Sequence, residues 1–195
     1  MATTILIDNG HGKETLGKKS PDQKLQEWGY ARRVAREVAR KLRAMDYKVI
    51  LITPEDEDIS LNERVRRVNE YARKTRCILI SIHLNAAGDG SKWLKASGWE
   101  CYTSVGKTNS DNLAEYLCKA AIEALPKEFT IRTDKSDGDS DKEANFYILN
   151  KTICPAVLTE NLFMDSEKDY KYLMSPEGFA AIVNLHVNGI TYYVK

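Results

Sequence analysis

Three short apolar runs, Ile5-Leu6-Ile7, Ile78-Leu79-Ile80 and Ala156-Val157-Leu158, are each followed within five residues by a histidine or a carboxylate. Runs without polar alternation suit strands covered on both faces. Helical patterns lie between them, which predicts an α/β fold: a single domain with a central, mostly parallel sheet of about six strands and helices on both faces. Strands are expected at residues 4–8, 48–53, 77–83, 99–104, 146–149 and 156–160. A first helix is expected over 26–43, where Tyr30, Val34, Val38 and Leu42 recur every fourth residue. A second starts at Ser60, with Ser60-Leu61-Asn62-Glu63 reading as a capping box. A third follows Ser110, and a last begins at Ser175-Pro176. No internal repeat or low-complexity linker interrupts residues 1–195, which are expected to form one catalytic domain. Loops are expected at 12–24, 86–95 and 133–143.

Composition narrows the partners. A formal charge of +1 over 195 residues gives no global field toward nucleic acid or an anionic membrane. No run approaches the roughly 20 apolar residues of a membrane span. Cys77, Cys101, Cys118 and Cys154 are scattered without a C-x-x-C pair, a pattern of reduced, buried thiols. The chain runs Met1-Ala2-Thr3-Thr4 into its first strand without a basic or long apolar leader. The expectation is a phage-type lysin, or an enzyme without its leader.

Three polar positions stand where packing favours apolar ones. His11 lies between Gly10 and Gly12 after the first strand, at the carboxyl edge where open α/β sheets bind ligands; a solvent-exposed turn histidine is the other reading. Glu27 precedes Tyr30, Ala31 and Val34 on the buried helical stripe. A carboxylate there is paired, protonated or metal-bound, or else a first-turn glutamate favoured by the helix dipole. His83 ends the strand through Ile78-Leu79-Ile80, as a ligand or as a donor to a neighbouring carbonyl. Two imidazoles and one carboxylate with an open fourth position make a catalytic zinc set. Glu160, after Val157-Leu158-Thr159, would share that rim as a general acid and base, or be a surface glutamate.

These residues resemble the zinc-dependent N-acetylmuramoyl-L-alanine amidases of the type 3 class. The matching blocks, in the family's order, are residues 5–12, Glu27, Leu61-Asn62-Glu63-Arg64, residues 81–86, Gly98-Trp99-Glu100-Cys101-Tyr102 and residues 155–163. The resemblance implies one Zn2+ held by His11, Glu27 and His83, with Glu160 as the catalytic carboxylate. It also implies hydrolysis of the amide joining the lactyl group of N-acetylmuramic acid to L-alanine. The implied partner is peptidoglycan or a muropeptide, met by a monomer at the cell wall, in the periplasmic or extracellular space. A zinc peptidase acting on another peptidoglycan amide and a non-catalytic peptidoglycan-binding module are the alternatives.

Residues 13–21 depart from the family pattern, which has a further glycine and then an acidic residue. In the acidic stretch 134–141 the glycine falls among the aspartates rather than after them, so a solvated loop is expected rather than a calcium site. Glu100 would orient a ligand histidine or face outward. Arg64 would brace its helix or meet a substrate carboxylate, and Asn85 is a further substrate candidate. His186, near the apolar face of the last helix, is expected to be packed rather than metal-bound.

Overall fold

The computed structural model describes residues 3–136 and 138–195. Met1, Ala2 and Asp137, the last within the acidic 134–141 stretch, lie outside the described residues. The strands are β1 (Thr4–Asn9), β2 (Val49–Leu51), β3 (Cys77–Asn85), β4 (Trp99–Thr103), β5 (Lys142–Glu143) and β6 (Ala156–Phe163). They form one sheet in the order β2-β1-β3-β6-β4-β5. Every pair is parallel except β4 with β6. The central strands β1 and β3 are almost wholly buried, which is why they read as unbroken apolar runs.

The helices are α1 (Glu27–Arg43), α2 (Leu61–Ala72), α3 (Asn109–Ala124), α4 (Tyr147–Asn150), α5 (Glu167–Leu173) and α6 (Pro176–Val194). Two apolar clusters show how they divide. One joins Ile5, Ile7, Ile78 and Ile80 to Val34, Val38 and Leu42 of α1, Leu113 and Leu117 of α3, and Ile182 and Ile190 of α6. The other joins Leu6, Leu79 and Leu158 to Val65 and Val68 of α2 and Ile148 and Leu149 of α4. Alternate residues of each strand therefore feed opposite faces. Burial of each large apolar side chain stabilises the layers by about 1.5–3 kcal/mol. No helix among the described residues is long and apolar enough to cross a membrane.

Three details correct the sequence reading. Residues 146–149 form no strand: Phe146 caps α4, whose Ile148 and Leu149 are buried while Tyr147 is exposed. A four-residue apolar run fits a strand or a buried helical turn equally well, and packing decides. The edge position is taken by β5, whose Lys142 and Glu143 carry no apolar signal. Ser60 does accept from the Glu63 backbone at 3.3 Å, but the Glu63 side chain bonds Arg66 and Arg67 instead of closing the box. The reciprocal box is at α3, between Thr108 and Asp111.

His186 is packed, as its position in α6 suggested. It is fully buried, with Nδ1 2.7 Å from the Ile182 carbonyl and Nε2 2.9 Å from the Thr159 hydroxyl. A carbonyl only accepts, so Nδ1 carries the proton and Nε2 accepts from Thr159. Burial pushes its pKa down to about 4, only partly offset by the Ile182 carbonyl. In the unfolded chain it titrates near 6.5, so the neutral ring supports the fold fully above that pH. That contribution is lost as pH falls from 6.5 to 4, by about 3 kcal/mol at the lower end. Urea titrations across this window should show that slope in the wild type and a flatter one in His186→Gln. Equal slopes would contradict the assignment.

Candidate metal centre

The carboxyl ends of β1, β3 and β6 meet at one rim. The chain leaves β1 through Gly10, His11 and Gly12. A Cβ at Gly10 would lie 2.5 Å from the His83 ring and 3.0 Å from Glu27 Oε1; one at Gly12 would meet the Asp58 backbone at 2.1 Å. Both neighbours must be glycine for the turn to lie this close. His11 itself adopts φ +58°, a left-handed conformation uncommon for a residue other than glycine. Its carbonyl is held by two buried arginines, Arg32 Nη1 at 3.0 Å and Arg64 Nη2 at 3.3 Å. Arg64 also pairs with Asp8 at 2.9 Å and donates to the Ile59 carbonyl at 2.7 Å. It therefore ties the turn to the segment leading into α2.

Glu27 starts α1 with its side chain 1% exposed. Its Oε1 lies 3.0 Å from His83 Nδ1 and accepts from the Leu84 backbone at 3.1 Å. His11 Nε2 is 3.4 Å from Oε2. The two imidazole rings stand edge to face, with centroids 5.3 Å apart. One ligand atom from each of His11, Glu27 and His83 falls within 4.8 Å of the others. Burial pushes the Glu27 carboxyl up, but the His83 hydrogen bond and the two imidazoles outweigh it and hold the group below its usual range. Burial pushes His11 down to about 4, toward the neutral form a metal requires. For His83 the same burial is overcome by Glu27, and the net direction is upward.

Glu160 is the register partner of His83 across the parallel β3–β6 pair. Its carboxyl is pushed up to about 7, first by burial and then by the charge of Glu27, against the pull of His83. Together with His11, His83, Asp8, Lys18 and Arg64 it lines a cavity of about 590 Å³. The opposite wall is apolar, formed by Ile59, Leu61, Phe146, Tyr147 and Ile148.

Beyond Glu160 the register shifts between His83 and Asn85, a β-bulge at which Leu162 takes φ +66°. Asn161 fills the gap. Its Nδ2 donates to the His83 carbonyl at 2.9 Å and to Thr159 Oγ1 at 3.0 Å, while Oδ1 accepts from Trp99 Nε1 at 2.8 Å. Asn161 and Arg32 both shape the rim and neither was singled out from the sequence. A polar residue next to Glu160 inside an apolar strand was the available signal for Asn161. Arg32 carries none, since Arg33 beside it looks identical in sequence. Glu100 contacts neither His11 nor His83. It accepts instead from Asn85 Nδ2 at 2.7 Å, Arg132 Nε at 3.0 Å, Tyr102 OH at 3.0 Å and Lys142 Nζ. Asn85 is thus tied to Glu100.

Residues 5–192 match the family described as N-acetylmuramoyl-L-alanine amidase. The chain belongs to that family. It is 29% identical over 197 residues to N-acetylmuramoyl-L-alanine amidase CwlM of Bacillus licheniformis, covering 95% of this chain and 66% of the relative. It is 27% identical to the endolysin of Bacillus phage SPP1, covering 97% and 65%. The chain thus spans just under two thirds of the length of these curated relatives. The crystallised catalytic domain of CwlV, an N-acetylmuramoyl-L-alanine amidase from Bacillus (Paenibacillus) polymyxa var. colistinus, superposes with a TM-score of 0.81 at 26% identity, covering 99% of each chain.

Proposed function

We infer that the protein is a zinc-dependent amidase that cuts the bond between N-acetylmuramic acid and L-alanine in peptidoglycan, with residues 1–195 acting as one catalytic unit. The observation that carries this reading is the meeting of His11, Glu27 and His83 on the rim that also bears Glu160. The donor set fits zinc on this chain's own terms. Glu27 Oε2 is buried without a hydrogen-bond partner among the described residues, a placement whose desolvation cost a cation would offset. Two imidazoles and one carboxylate leave a fourth position open, as a catalytic rather than a structural site requires.

His11, Glu27 and His83 would hold the ion. Zinc supplies Lewis acidity, activating water and polarising the scissile carbonyl. Glu160, on the same rim, takes a proton from the attacking water and returns it to the departing L-alanine nitrogen. Arg32 and Arg64 fix the His11 turn, and Asn161 fixes the His83 backbone, so the donors are set before substrate arrives. Leu61 and Phe146 give one side of the cavity an apolar lining. The same reading places the enzyme at the cell wall, in the periplasmic or extracellular space. Both a phage lysin and a bacterial remodelling enzyme fit, in keeping with the named relatives.

The test is chemical analysis of digested peptidoglycan. Fragments should carry new L-alanine amino termini, and their release should stop with chelator and resume with zinc. New amino termini on other residues would mean a zinc peptidase, and binding without any release would mean a wall-binding module.

A further inference from the structure

We propose that Arg132 and Lys142 form a subsite for a carboxylate carried by the peptide that leaves the cut amide, within about three residues of the bond. This rests on the amidase reading and adds the feature of the stem peptide that the enzyme selects.

Glu100 on β4 is the direct register partner of Glu160 on β6, so their side chains share one face of the sheet. It is 2% exposed, and two cations converge on it although one would balance its charge. Arg132 donates through Nε at 3.0 Å and Lys142 through Nζ. Their side chains keep 38% and 25% of their surface in solvent. Asp134 also lies in the field of Lys142, so Arg132 is the head of the pair with donors to spare. The Arg132 guanidinium is held in place, lying 5.2 Å from the Phe163 ring centroid with Nη1 3.5 Å from the Ser97 carbonyl. Its Nη2 edge has no hydrogen-bond partner among the described residues. Glu100 thus acts as the anchor that orients two cation heads, and the outward donors are left for a ligand anion.

The location fits. Tyr102, bonded to Glu100, packs edge to face on Phe146 of the cavity wall at 5.2 Å. Neighbouring strands lie about 4.8 Å apart, which puts Lys142, two strands away, on the order of 10 Å from Glu160, and Arg132 meets the same Glu100 carboxylate. An extended peptide advances about 3.4 Å per residue, so a chain leaving the scissile nitrogen reaches them in about three residues.

The probe is a pair of soluble N-acetylmuramoyl peptides of one sequence, one with free carboxylates beyond L-alanine and one with those groups amidated. The wild type should favour the free acid, and Arg132→Gln should raise KM for it about tenfold while leaving kcat, and the amidated peptide, unchanged. Arg132→Lys should restore part of the preference. Equal loss on both peptides would reduce Arg132 to a brace for Glu100 and overturn the proposal. So would a wild type that does not discriminate, a result that needs no variant to fold. If neither peptide is cut, calorimetry on zinc-loaded Glu160→Gln separates the two ideas. Tighter binding of the free acid would uphold the subsite while removing the amidase, and equal affinity would overturn the subsite itself.

Discussion

Glu160→Gln should fold, bind zinc as the wild type does, and lose about 10²- to 10⁴-fold in the rate of L-alanine amino-terminus release. The substitution keeps the shape of the side chain and removes only its capacity to take and return a proton. It should also stabilise the metal-free protein at neutral pH. Burial lifts the Glu160 pKa from an ordinary 4.5 to about 7, so the folded state holds its proton more tightly than the unfolded chain. A carboxyl raised in this way costs nothing below pH 4.5 and reduces stability progressively as pH climbs to 7. The cost at pH 7 is about 3 kcal/mol, and Gln escapes it. Thermal unfolding of the two metal-free proteins between pH 4.5 and 7.5 measures the difference. A variant that stays active would remove Glu160 from the mechanism, and one whose stability tracks the wild type throughout would show that burial does not raise its pKa.

The second large effect belongs to the ligands. Glu27→Ala should abolish stoichiometric zinc binding and bring amide hydrolysis to background. Stability provides a readout independent of turnover. A ligand that binds only the folded state adds about 4 kcal/mol at a thousandfold excess over its Kd. Zinc should therefore raise the melting temperature of the wild type and leave that of Glu27→Ala unmoved. His83→Ala should behave alike, because His83 and Glu27 share a 3.0 Å contact and each orients the other. A Glu27→Ala protein that still gains stability from zinc would place the ion elsewhere.

Glu27 and Glu160 also show why such sites stand out. Each is a buried carboxylate left with an oxygen lacking a hydrogen-bond partner among the described residues, Glu27 charged beside two imidazoles and Glu160 in a setting that opposes its charge. Ordinary packing would exclude that arrangement, and function requires it.

Much of this was legible without coordinates. The unbroken apolar strands around Ile5, Ile78 and Ala156 determined a sheet covered on both faces, because no half-exposed strand carries that pattern. His11, Glu27, His83 and Glu160 were visible as polar residues violating it. Only the tertiary structure decided the rest. Residues 146–149 became a helical turn because burial, not local pattern, chooses between strand and helix in a run of four. Arg32 and Asn161 became supports of the rim through partners 21 and 78 residues away in the chain, which no local spacing encodes. Glu100 turned from the histidines toward Arg132 and Lys142 because the Trp99–Ile131 bridge and the edge strand β5 bring those residues beside it. Local chemistry is written residue by residue, whereas a neighbour across the sheet is set by the register of the whole.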